Sequence, residues 1–158
     1  MSSAKKTSTK KARVTGKRSL PPRSRVSGRG RRPTVTSPHV IFEILFLEGM
    51  LWMVVRNIGP KPAFHIRIQF EQSFKGLEGT KRMDTLPLFK QLEFLGPDRE
   101  IQTVLDRGAA YFQRNEPVRL VARASFEEET GRRYETGSIH NLEVFRDLGY
   151  VHIHNPLS

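Results

Sequence analysis

The sequence predicts an all-β fold, seven short antiparallel strands closed as a Greek-key sandwich, preceded by a disordered basic arm. Three observations lead there. Apolar residues recur at period two from Val40 onward. Gly, Pro and Asn interrupt the pattern at short intervals and no segment sustains a helical period. Charge is segregated, with the cations gathered at the N-terminus of a 158-residue chain that has room for one domain.

The arm covers residues 1–38. It is built mainly from Lys, Arg, Ser, Thr, Pro and Gly, with Val14, Leu20, Val26 and Val35 as its only sizeable apolar side chains. Such a segment buries too little apolar surface to offset its ordering entropy, and like charges extend it. Pro21, Pro22 and Pro33 break any long helix. Its cations are Lys5, Lys6, Lys10, Lys11, Arg13, Lys17, Arg18, Arg23, Arg25, Arg29, Arg31 and Arg32, and no acidic residue accompanies them. The remainder is close to neutral, so the formal net charge of +11 resides in the arm.

The domain, residues 39–147, reads strand by strand. Val40, Phe42, Ile44 and Phe46 form one face of a first strand, and Glu48-Gly49 turns the chain into a second over Leu51 to Arg56. Asn57-Ile58-Gly59-Pro60 breaks it. In the third strand Phe64, Ile66, Ile68 and Phe70 alternate with His65, Arg67, Gln69 and Glu71, which makes one face core and the other wet. Residues 72–85 read as a long loop, Leu88 to Phe94 as a short strand, Gly96-Pro97-Asp98 as a turn and Ile101 to Leu105 as a strand. Arg107 to Asn115 fits either a loop or a helical turn. Leu120, Ala122, Ala124 and Phe126 then form the inner face of a sixth strand, Glu127 to Gly131 a charged hairpin, and Tyr134 to Val144 the last strand with a bulge at Gly137. Residues 148–158 form a C-terminal tail.

The run Leu51-Trp52-Met53-Val54-Val55-Arg56-Asn57-Ile58-Gly59-Pro60-Lys61-Pro62-Ala63, the turn Leu95-Gly96-Pro97-Asp98-Arg99-Glu100 and the hairpin through Thr130-Gly131-Arg132-Arg133-Tyr134 resemble bacterial Ig-like domains of the cell-adhesion-related, CARDB-like kind. The likeness covers roughly residues 38–147. It implies a seven-stranded Ig-like sandwich and an accessory or binding role, with no catalytic motif to carry over. Many such proteins place a membrane helix ahead of the sandwich. Here the basic arm stands in that position.

Catalytic chemistry finds no foothold. The chain has no cysteine, which excludes disulfides, thiolate metal sites and a cysteine nucleophile. No Gly-x-Ser-x-Gly elbow is present, and Gly28-Arg29-Gly30 lies in the arm rather than between a strand and a helix, so the phosphate-loop motifs fail. His152 and His154 would project to one side of an extended backbone, half a zinc site at most. Glu127, Glu128 and Glu129 lack the spaced ligands of a calcium loop. Trp52 and the ten Phe read as core fillers, because an RNA-reading sheet would carry a recognisable aromatic motif. No cofactor or metal is expected.

The expectation is therefore a non-enzymatic binding protein. The arm contacts a nucleic-acid backbone, RNA or DNA, by counterion release, while the domain docks on a protein partner. If the third and sixth strands are neighbours, His65, Arg67, Arg119 and Arg123 share a solvent face and form a basic docking patch. The alternative is a peripheral membrane or envelope module tethered to anionic lipid. A cytoplasmic, bacterial-like setting fits the absence of an apolar leader core, and an acid-free, Arg/Ser-rich arm also suits an organelle presequence.

Overall fold

In the computed structural model the chain divides into two units, Met1–Arg32 and Pro33–Ser158. The structure describes residues 34–148, which belong to the second. Its elements in chain order are β1 (Val40–Leu47), β2 (Met50–Asn57), β3 (Ala63–Phe70), β4 (Lys75–Gly76), β5 (Lys81–Arg82), α1 (Pro87–Lys90), β6 (Leu92–Leu95), β7 (Glu100–Arg107), α2 (Gly108–Gln113), β8 (Arg119–Glu127), β9 (Arg133–Asn141) and a 3-10 turn, Leu142–Phe145. The fold is mostly β, and every strand pair is antiparallel.

The described residues hold nine strands where the sequence pattern predicted seven. The two extra ones, β4 and β5, form a small ribbon inside the segment read as a loop, too short and polar to show a period. Between β5 and β6 the expected strand from Leu88 is instead a helical turn, with Pro87 in its first position, where a fixed φ and a missing N–H cost nothing. The strand proper begins at Leu92. The segment left open between loop and helix is α2. The last strand stops at Asn141, whose side chain accepts from the Glu143 N–H and caps the 3-10 turn.

Two sheets carry the architecture, one ordered β1-β2-β7 and the other β6-β3-β8-β9. Glu48 and Gly49 both adopt positive φ, 50° and 78°, and Leu47 pairs with Met50. This is the two-residue hairpin whose twist matches its strands. Val40, Phe42, Ile44 and Phe46 from β1, Leu51, Met53 and Val55 from β2, and Leu120, Ala122, Ala124 and Phe126 from β8 enter a single apolar cluster. Each large side chain so buried contributes about 1.5–3 kcal/mol. Trp52, expected in that cluster, lies half-buried on the opposite face of β2, in register with Leu45 and Val104.

Side chains also join the sheets. Thr136 on β9 donates to the Val40 carbonyl, and His140 Nε2 donates to the Phe42 carbonyl at 3.0 Å. Burial pushes the His140 imidazole below its ordinary pKa, against the opposing pull of the Phe42 carbonyl and Glu43.

Two buried polar residues hold the connections. Asn57, fully buried, accepts from the backbone N–H of His39 (3.1 Å) and Gly59 (3.0 Å), and donates to the carbonyls of Lys61 (2.8 Å) and Leu95 (3.1 Å). Gly59 itself has no room for a Cβ, which would lie 2.4 Å from the Ser37 carbonyl oxygen. Asp106, 1% exposed, accepts from the Arg114 guanidinium at 2.5 Å and from the backbone N–H of Glu78 and Arg107. It thereby ties the turn after β4 to the end of β7.

Candidate functional site

β3 and β8 are hydrogen-bonded neighbours, with Arg67 opposite Ser125 and Gln69 opposite Arg123. β9 continues the rows: Ser125 faces Glu135, Arg123 faces Gly137 and Val121 faces Ile139. His65, Arg67, Arg119 and Arg123 therefore share the solvent side of the four-stranded sheet and are all exposed. The twelve arm cations lie outside the described residues, as do His152 and His154.

Local backbone geometry decides how His65 is presented. It adopts φ 49°, in the left-handed region that a non-glycine residue seldom occupies, and the β3–β8 register shifts between Phe64 and Arg67. This bulge turns two consecutive side chains away from the core. Phe64, expected inward, instead packs against the exposed Phe94 of β6, with ring centroids 5.4 Å apart. The bulge expected at Gly137 is absent, and the β8–β9 pairing passes through it unshifted.

Charge on the face is mixed. His65 Nδ1 donates to Glu127 at 3.1 Å and Nε2 lies 3.6 Å from Glu93. Glu127 also accepts from Arg133 at 3.0 Å. The hydrogen bond from His65, followed by that from Arg133, holds the Glu127 carboxyl below its ordinary range. Arg123 approaches Glu71 at 3.9 Å. The expected basic patch is thus accompanied by Glu93 on β6, Glu127 on β8, Glu135 on β9 and Glu71 just past the end of β3. Its basic character is offset because β-strand alternation, which sends the arginines outward, sends these acids outward too.

A family model matches residues 7–146, most of the chain. The chain belongs to the DUF8453 family, described as a domain of unknown function. No curated protein matches it. The DUF8453 match takes in much of the basic arm as well as the strands.

Within the described part of this DUF8453 chain, no three His, Cys, Asp or Glu side chains are grouped to hold a metal ion, and no helix is long and apolar enough to cross a membrane. A shallow cavity of about 670 Å³ lies beside the bulge, lined by His65, Arg67, Lys90, Glu127 and Tyr134 among others. Its charged, open walls suit recognition of a polar surface. The sequence pattern places Glu71 on the wet face of the third strand and Glu127 in a solvated hairpin tip, and names neither them nor Glu135 as part of the patch. Their outward parity with Arg67 and Arg123 was the available signal.

Proposed function

We propose that this chain is a non-enzymatic binding protein in which the arm, residues 1–38, contacts an RNA or DNA backbone while the domain docks on a partner. The observation that carries the reading is the segregation of charge: twelve cations and no acid in the arm, beside a domain close to neutrality. A polycationic segment binds phosphates through counterion release, tightly at low salt and with little sequence preference. The family match from residue 7 onward supports an arm that works together with the domain.

We read the domain as an Ig-like sandwich of the CARDB-like kind. Supporting this is the strand order, in which β1-β2-β7 corresponds to A-B-E and β3-β8-β9 to C-F-G, with β6 added beside C. Such frameworks serve as docking modules on many unrelated proteins.

The test is removal of residues 1–36 followed by nucleic-acid and vesicle binding at matched salt. The truncated domain should keep its β circular-dichroism spectrum and lose most affinity for RNA and duplex DNA. For the full chain on duplex DNA, about half of the arm's cations engaged would give a log–log salt slope near −5. Equal nucleic-acid binding by both forms overturns the reading. Binding to anionic vesicles with none to nucleic acid replaces it with a membrane tether.

A further inference from the structure

We propose that the outer face of the β6-β3-β8-β9 sheet is a self-association surface. Its occupant is a second copy of this chain, packed face to face across a twofold axis that crosses the strands at the level of Gln69, Arg123 and Gly137. This goes beyond the arm's role and stands on the register of β3, β8 and β9 alone.

Such an axis lays each strand over its own counterpart running the opposite way, so a residue above the central row meets one an equal distance below it. On β3, Arg67 stands one two-residue step above Gln69, about 6.6 Å along the strand. Glu71 stands one step below, its N–H bonded to the Val121 carbonyl at 3.2 Å. Arg67 therefore meets Glu71 of the second copy. On β8, Glu127 and Arg119 stand two steps either side of Arg123 and meet in the same way. Symmetry forms each pair twice.

The operation gives partners to two arginines that lack them, while on β9 it sets Glu135 over Ile139. Arg123 and Arg133 have carboxylates within 4 Å of their own chain. Among the described residues, Arg67 and Arg119 have none. Each finds its acid across the axis.

Gly137 fits the same geometry. Glycine in mid-strand weakens the strand, yet nothing inside the chain requires it. The pairing runs unbroken through it, and an added Cβ would meet only the Ala122 carbonyl oxygen, at an ordinary 3.9 Å. A bare backbone at the axis lets two sheets approach, where face-to-face packing brings them about 10 Å apart.

The same symmetry sets a limit. Arg123, its side chain 69% exposed, meets Arg123 of the second copy on the axis, and like charges oppose contact there. The face, three strands of eight or nine residues with the four-residue β6 at its side, covers roughly 450 Å² in projection, short of the about 800 Å² per partner of a standard stable complex. The dimer is weak and depends on concentration.

Sedimentation equilibrium of the full chain in about 0.15 M salt, where screening acts beyond roughly 8 Å, tests this. Dimerisation should weaken about tenfold or more in Arg67→Glu and in Glu71→Arg, and return to within about threefold of the parent when the two are combined. Gly137→Gln should weaken it. Arg123→Ala should tighten it, the reverse of what an anionic partner on this face would produce. All four positions are exposed, and circular dichroism checks that each variant is folded. A chain monomeric at millimolar concentration overturns the proposal. So does a charge-swapped double variant no tighter than the single ones, or weaker dimerisation in Arg123→Ala; the last assigns the arginines to an anionic partner.

Discussion

Replacing Asn57 by Ala should cost about 3–7 kcal/mol. The figure follows from what the side chain serves. Its Oδ1 accepts from the N–H groups of His39 and Gly59, and its Nδ2 donates to the Lys61 and Leu95 carbonyls, at 2.8 to 3.1 Å, in a site with no exposure. Alanine strips both N–H groups of their acceptor, at about 1–3 kcal/mol for each buried orphan. The carbonyls, with a second lone pair, add about 1 kcal/mol. A domain of this size has roughly 5–15 kcal/mol in all, so the variant approaches the limit of folding. Urea denaturation followed by far-UV circular dichroism measures the loss as a fall in midpoint at unchanged slope. Asn57→Asp separates donors from acceptors: it keeps the acceptor and aims a second oxygen at carbonyls. The buried carboxyl must then be protonated to donate, which raises its folded pKa above the unfolded value of about 3.9. Stability of that variant should be highest below the unfolded value and decline as pH rises through the folded one. A loss below about 1 kcal/mol in Asn57→Ala, or a pH-independent Asn57→Asp, would refute the assigned hydrogen bonds.

Ile68→Ala should cost about 2–5 kcal/mol and Gln69→Ala less than about 0.5, since Ile68 is 3% exposed and Gln69 points to solvent; equal losses in denaturation would contradict the register of β3. His140, neutral and half-buried with a lowered pKa, contributes stability fully present above the unfolded value of about 6.5 and lost as pH falls through the folded value. Thermal melts should show the parent declining with acid over that range more steeply than His140→Gln, and an identical decline in both would remove His140 from the account.

The sequence revealed the fold wherever alternation was clean. In β8, Leu120, Ala122, Ala124 and Phe126 point inward as their spacing requires. In β2 nearly every side chain is apolar, so period two alone cannot say which face holds Trp52. Arg56 carried the missing signal: two arginine-compatible steps back along the strand lie Val54 and Trp52, all on the face away from the core cluster. Phe64 was beyond such reasoning, because the left-handed turn at His65 is made by a residue that does not announce it as glycine would. Asn57 was recognised as a turn former, yet its links to Leu95 and His39 join segments far apart in the chain. Local pattern holds no record of such partners. The site was legible for the same reason as the strands: outward parity placed His65, Arg67, Arg119 and Arg123 together. It remained half-read because Glu71, although placed on the wet face, was not counted against the arginines, and Glu127 and Glu135 share their parity on the neighbouring rows.

The bonds from Thr136 and His140 to β1 have a consequence for solubility. β1 ends its sheet, and a bare sheet margin is a template on which strands from other molecules can assemble into aggregates. Here the Val40 and Phe42 carbonyls already accept from side chains of the same molecule. An incoming strand would have to displace a hydroxyl and an imidazole before forming its first main-chain bonds at those two positions. The chain thus carries a guard against runaway polymerisation on one flank, made of two ordinary polar residues and requiring neither a proline nor a charged blocker.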